Sequence, residues 1–183
     1  MKDHGKILWI TRTGVLIALL VVLQWATAGT SAFAGQYITG SCVNAVLAAA
    51  ALTAGVWSGV VVAILSPFCA FLLGIGPKLI QLVPAIALGN LVFVVVLSCA
   101  IGTETRPLWR QALGLVGGAG LKFAVLYVAV VRVILPLLAS GLKPPQAAAF
   151  TAMFSYPQMI TALIGGTVAL LIAPVIRKTI QKA

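Results

Sequence analysis

Of the 183 residues, 62% are hydrophobic and 8% charged, and the mean hydropathy of +1.16 lies outside the range of water-soluble globular domains. Twelve Lys and Arg against two acids, Asp3 and Glu104, leave a formal net charge of +10, yet the cations stand between apolar runs rather than along one solvated face. Composition therefore excludes a soluble domain and a nucleic-acid partner, and points to an integral membrane protein whose charges report topology.

A bilayer core about 30 Å thick takes about 20 apolar residues per helix. Polar, Gly and Pro punctuation divides the chain into six such segments, about 13 to 33, 38 to 54, 57 to 75, 79 to 101, 111 to 139 and 148 to 176. The expected fold is an all-α membrane protein, a compact bundle of six transmembrane helices forming a single domain over 1–183, with no room for a soluble domain.

The first segment follows Lys2, Lys6 and Arg12 and precedes the small-residue sequence SAFAG, an order that also suits a signal peptide. Its apolar run continues from Val15 past Leu23 through Gln24 and Trp25 to about Ala28, long enough to span, so a retained helix is expected. The pattern Gly14-VLI-Ala18 on this helix, like Gly55-VWS-Gly59 at the second turn and Gly114-LVG-Gly118 on the fifth helix, marks close helix contacts.

Between the first two segments, Thr30 to Ser41 is the longest outer connection, and Gln36 and Tyr37 lie in it as a lid or as solvated loop residues. Asn44 on the second segment and Asn90 on the fourth are polar groups in apolar surroundings, read either as interhelical hydrogen-bonding partners or as cavity wall. Cys42, Cys69 and Cys99 are widely spaced without a CxxC pair and read as small apolar packing residues.

The fifth segment carries GGAGLKFAVLYVAVVRVILP, with Lys122 and Arg132 and no acid near either. Entering the membrane near Gln111, Lys122 lies eleven residues in, roughly 16 Å along the helix and near the midplane. A charge there costs between about 2.5 and more than 10 kcal/mol by different measures, so such residues face a cavity or a partner. Three solutions are open: acceptors such as Asn44, Asn90 or backbone carbonyls, a ligand anion, or loss of the proton. Arg132 either snorkels outward or borders the same cavity, about 80° around the helix from Lys122. The GGAG sequence is no phosphate loop, since no GK[ST] follows it.

On the sixth segment Thr151, Phe154, Ser155, Gln158 and Thr161 recur at i, i+3, i+4, i+7 and i+10 on one face, again as glue between helices or as pocket wall. An even number of spans puts both termini on one side, which collects Lys2, Lys6, Arg12, Arg106, Arg110, Arg177, Lys178 and Lys182, against Lys78 and Lys143 opposite. The positive-inside rule makes that side cytoplasmic.

The run TGSCVNAVLAAAALTAGVWSGVVVAILSPFCAFLLGIGP, followed by PAIALGNLVF, GLKFAVLYV and MFSYPQMITALIGGTVAL, resembles the substrate-binding S components of energy-coupling factor (ECF) transporters over about four fifths of the chain. The resemblance implies a six-helix subunit of the prokaryotic cytoplasmic membrane that captures a vitamin or related micronutrient near the outer surface. It also implies partners, an ECF transmembrane coupling subunit and two ABC ATPase subunits that hydrolyse ATP, while this chain is no enzyme and carries no cofactor. By position the family pocket corresponds to Gln36, Tyr37, Asn90, Lys122, Tyr127, Arg132, Phe154 and Gln158, to which Asn44 and Thr161 are added from the polar pattern above. Members dock on the coupling subunit through Ala-xxx-Ala on the first helix; here the nearest match is Gly14 and Ala18, with Val22 four residues on, so the small-residue patch is kept and its register altered.

If Lys122 and Arg132 border the cavity and no acid neutralises them, the expected ligand carries a carboxylate or phosphate, in the class of pantothenate, niacin, lipoate or biotin. A membrane enzyme is disfavoured because the helices lack clustered Asp, Glu and His and the one histidine, His4, lies in the N-terminal tail. The alternative is a self-sufficient secondary transporter or channel for a small organic anion, against which stands the absence of intramembrane carboxylates.

Overall fold

The computed structural model of the protein describes residues 2–29, 32–104 and 106–182, and these are all-α. The helices are α1 (Lys2–Thr27), α2 (Ala32–Ala49), α3 (Val56–Leu72), α4 (Val83–Ala100), α5 (Leu108–Leu126), α6 (Leu135–Leu137), α7 (Pro144–Met153) and α8 (Pro157–Lys182). A π-helical turn, Ala50–Ala54, prolongs α2, and a longer one, Tyr127–Ile134, joins α5 to α6 without a break. Among the described residues five helical stretches are long and apolar enough to cross a membrane, Gly5–Thr27, Gly35–Ala54, Ile80–Ala100, Leu108–Leu137 and Pro144–Thr179, and Val56–Leu72 is a shorter apolar one.

Four elements depart from the sequence expectation. α1 begins at Lys2 rather than near residue 13, because the helical backbone runs on beyond the apolar stretch, with no proline to stop it. The predicted loop from Thr30 to Ser41 is helical from Ala32, while Thr30 and Ser31 lie outside the described residues, so Gln36 and Tyr37 stand on a helix and not on a lid loop. Gly35 and Gly40 do not interrupt α2 because it is packed there, Gly40 lying against the Thr161 side chain on α8. The predicted sixth helix is broken at 154–156, since Pro157 has no N–H to donate and disfavours helical geometry at the residue before it. Finally, the π turns of Tyr127–Ile134 widen the spacing, so rotation per residue falls below that of an α-helix.

The bundle is arranged as a ring in which α1 contacts α3, α3 contacts α4, α4 contacts α5, α5 contacts α8, α8 contacts α2 and α2 returns to α1. The α2–α8 contact is the most extensive, and glycine permits it. A Cβ on Gly165 would strike the Ser41 carbonyl oxygen and lie 2.6 Å from the Ala45 nitrogen, so two backbones meet where no larger side chain fits. The expected contact at Gly114 and Gly118 is present, against Ala100 and Phe93 of α4. Gly55 has φ +91°, a region that favours glycine, and turns the chain directly from the π turn into α3.

Apolar side chains fill the interior in two clusters. One joins Leu20, Leu47, Leu52, Val62, Phe93 and Leu97 across α1 to α4, and the other joins Leu82, Leu126, Val130, Leu135 and Phe154. Arg177 ties the end that carries the termini: its Nε donates to Leu52 O at 2.8 Å, Nη1 to Glu104 O at 2.8 Å and Nη2 to Gly102 O at 3.0 Å. It thereby satisfies carbonyls left over where helices end. Trp9, Trp57 and Trp109 are exposed toward that end, with Trp25 and Tyr156 toward the opposite one, the distribution of aromatic rings at two membrane interfaces.

Gly165→Ala should separate α2 from α8 and cost about 1–3 kcal/mol, as overpacking does. Gly117→Ala, whose added methyl meets nothing within 4 Å, should be neutral or slightly stabilising in a helix. Melting curves of both variants in one detergent check this; equal midpoints would contradict the close approach.

Candidate functional site

A cavity of about 340 Å³ opens at the end of the bundle remote from the termini. Its walls come from the C-terminal part of α1 (Gln24, Thr27), the middle of α2 (Gln36 to Asn44), the end of α3 (Ser66 to Phe71), the start of α4 (Val83 to Asn90), Lys122 of α5, and the α7–α8 corner (Met153, Phe154, Gln158). The volume suits a small organic molecule.

Its deepest polar feature is Lys122. The side chain is 3% exposed and its ammonium donates to Asn44 Oδ1 at 2.5 Å and Asn90 Oδ1 at 2.7 Å. The ring of Phe93 lies 5.6 Å from Nζ, within range of a cation–π contact. Three helices thus converge on one nitrogen, and all of its partners are neutral. Asn44 is held in turn: its Nδ2 donates to Thr161 Oγ1 at 3.2 Å, and that hydroxyl donates to Gln158 O at 3.2 Å. The α2–α8 approach at Gly165 and Gly40 is what brings Asn44 and Thr161 within reach.

Nearer the mouth, Gln36 Nε2 and Gln158 Nε2 both donate to the Met153 carbonyl, at 2.9 and 3.1 Å. This joins α2 to the corner at which α7 turns into α8. Thr39 donates to Thr27 Oγ1 at 2.7 Å across α2 and α1, and Gln24 Nε2 reaches Ser66 O at 3.4 Å. Apolar surface between these groups comes from Pro67, Phe71, Ile75, Ile86 and Phe154.

Six residues singled out in the sequence line this cavity together: Gln36, Asn44, Asn90, Lys122, Phe154 and Gln158. Thr161 stands behind the wall as a partner of Asn44. Three do not line it. Arg132 is exposed and lies over the Tyr127 ring, 5.4 Å from its centroid, because the wide turns between Tyr127 and Ile134 carry it off the face that regular helical rotation projects. Tyr127 packs beside Phe123 at 5.9 Å, and Tyr37 shares a hydrogen bond with Tyr156 outside the cavity. Among the described residues Lys122 is therefore the cation of the cavity wall, and Arg132 takes the outward course that was the other alternative for it. Sequence reasoning passed over Gln24, Thr27, Thr39 and Ser66, which come from α1 to α3; Gln24, a polar residue inside an apolar run, was the available signal. On the outer face of α1, Gly14, Ala18 and Val22 are all exposed at i, i+4 and i+8.

The sequence model of the family described as ECF transporter, substrate-specific component, matches residues 9–177. The chain belongs to that family. The matched range takes in every residue named above as lining the cavity. No curated protein and no solved structure matches the chain. As an S component the protein is a multi-pass membrane protein and the substrate-binding, non-catalytic subunit of a transporter. Its association is with an ECF module of T component and ATPases, and with a small-molecule substrate.

Removing one acceptor from the buried ammonium should be costly, and removing the ammonium as well should restore stability. Asn90→Leu alone is expected to lose about 1–3 kcal/mol, with much of that regained in Asn90→Leu combined with Lys122→Met. A double-mutant cycle of melting midpoints measures the coupling; additive losses would mean that the two residues do not interact.

Proposed function

We propose that this S component captures a small organic anion of the vitamin class, such as pantothenate, niacin, lipoate or biotin, and delivers it to the ECF module of a prokaryotic cytoplasmic membrane. The observation that carries this reading is Lys122: a buried ammonium on the cavity wall whose partners are two amide oxygens and an aromatic ring, none of them charged. Neutral acceptors solvate the cation without cancelling its charge. An incoming carboxylate cancels it through a charge-assisted hydrogen bond in a region of low dielectric, where such bonds are strongest. Asn90 supports this role, since its oxygen is spent on Lys122 while its amide nitrogen, which makes no bond among the described residues, is a second donor for the same anion.

Charge distribution favours cytoplasmic termini. Lys6, Arg12, Arg106, Arg110, Arg177 and Lys178 belong to the end with the termini, and Lys78 and Lys143 to the end where the cavity opens; the side chains of Lys2 and Lys182 lie outside the described residues. By the positive-inside rule the cavity then faces outward. The exposed Gly14, Ala18 and Val22 of α1 are the proposed contact with the coupling subunit, since a Cβ on Gly14 would meet nothing within 4 Å and a partner helix can approach there.

The test is to release the compound that co-purifies with the protein in mild detergent, identify it by mass spectrometry, and titrate it back in a thermal-shift assay. At a hundred times its Kd it should add about 2.7 kcal/mol. An anion should be released, and its stabilisation should vanish in Lys122→Met. A neutral compound, or an anion bound equally well by the variant, would refute the anion reading.

A further inference from the structure

The polar residue of the cavity with the least obvious duty is Gln24. It is 3% exposed, it interrupts an otherwise apolar stretch of α1, and it lines the cavity on the wall formed with Ser66 and Pro67 of α3. Its amide nitrogen makes a long bond of 3.4 Å to the Ser66 carbonyl, and its amide oxygen is buried without a hydrogen-bond partner among the described residues. The orientation follows from chemistry: the Ser66 carbonyl is an acceptor, so the reversed amide would set two oxygens against each other.

An interhelical tie made by glutamine can use both ends of its amide, whereas here one end is engaged, weakly, and the other is idle. A buried acceptor left unpaired is unfavourable, and the last torsion of a glutamine is broad, so rotation about it can turn the oxygen toward a donor in the cavity at the expense of the long bond to Ser66. The position also fits a second contact. Thr27 on α1 is level with its partner Thr39 on α2; Gln24 lies three residues deeper than Thr27, and Asn44 five deeper than Thr39. Gln24 is thus about 3 Å nearer the mouth than the Asn44–Lys122 layer.

We propose that Gln24 accepts a hydrogen bond from the bound anion, so that the cavity selects organic acids that also carry a hydroxyl or amide-type N–H. This rests on the anion reading of Lys122. Lys122 and Asn90 hold the ionised group at depth, and Gln24 examines the body of the molecule above it. An acid lacking an O–H or N–H leaves the oxygen unpaired, and a site built around a polar partner rejects the analogue that cannot supply one.

Dissociation constants for four probes test this: pantothenate and biotin, acids with hydroxyl or N–H donors, and lipoate and nicotinate, acids without one. At least one donor-bearing acid should bind the wild-type protein ten or more times as tightly as either donorless acid. Gln24→Met should weaken that probe at least tenfold while leaving the melting midpoint of the ligand-free protein in place. A donorless acid binding as well as the best donor-bearing one overturns the proposal using the wild-type protein alone, whatever the variant does. So does a loss of less than twofold in Gln24→Met. The uncharged counterparts panthenol and biotin methyl ester separate the two readings: if they bind as well as their acids and still depend on Gln24, the anion reading fails and the role of Gln24 stands. Failure of all four acids to bind overturns both.

Discussion

The Lys122 ammonium and the two asparagine oxygens that hold it are the interaction around which the rest is arranged. A cation near the middle of a membrane helix is tolerated only where the protein solvates it. Here the solvation comes from α2 and α4, reaching across to α5. Those acceptors fix the relative height of three helices, and the hydrogen bond from Asn44 to Thr161 adds α8. Among the described residues, the groups that hold the ammonium are two amide oxygens and an aromatic ring, none of them an acid. One group thus serves the packing of the bundle and the proposed capture of an anion, and neither reading of the lysine excludes the other.

Close helix approach makes that arrangement possible. In a bilayer no hydrophobic driving force pulls helices together, so association depends on packing and on hydrogen bonds between them. Gly165 lets α8 meet the backbone of α2 at Ser41 and Ala45, and Gly89 lies against Leu126 where α4 and α5 meet. Each contact adjoins a polar residue of the cavity, Asn44 in the first case and Asn90 in the second. At the opposite end Arg177 gathers the carbonyls of Leu52, Gly102 and Glu104. The bundle is therefore tied firmly where the termini lie, and opens where α1, α3 and α7 end.

An S component hydrolyses nothing itself, and the chemistry asked of it is selective capture. The cavity sets few polar groups in apolar surface: a cation with two amides at depth, amides and hydroxyls above, and Phe71, Ile86 and Phe154 between them. The exposed stripe of small residues on α1 lies on the outside of the same helix that contributes Gln24 to the inside. One helix thus presents one face to the cavity and another to the surroundings of the bundle.

The membrane class, the apolar stretches, the charge bias between the two ends and the oddness of Lys122 were all legible in the sequence, because each depends on composition or on local spacing. Periodicity alone also grouped Phe154, Gln158 and Thr161, and those three remain together around the break before Pro157. The direction of Arg132 stayed open because its position depends on backbone that departs from α-helical rotation, and nothing in YVAVVRVI signals a π turn. Gln36 and Tyr37 were taken for loop residues because two glycines and several polar groups read as punctuation, whereas packing against α8 keeps α2 helical there. Which amide meets the lysine, and that Gln24 shares a cavity with it, depends on how helices distant in sequence are set side by side. Side-chain chemistry, carried residue by residue, belongs to the sequence; the height and rotation of each helix come from packing against its neighbours, and only the tertiary structure decides them.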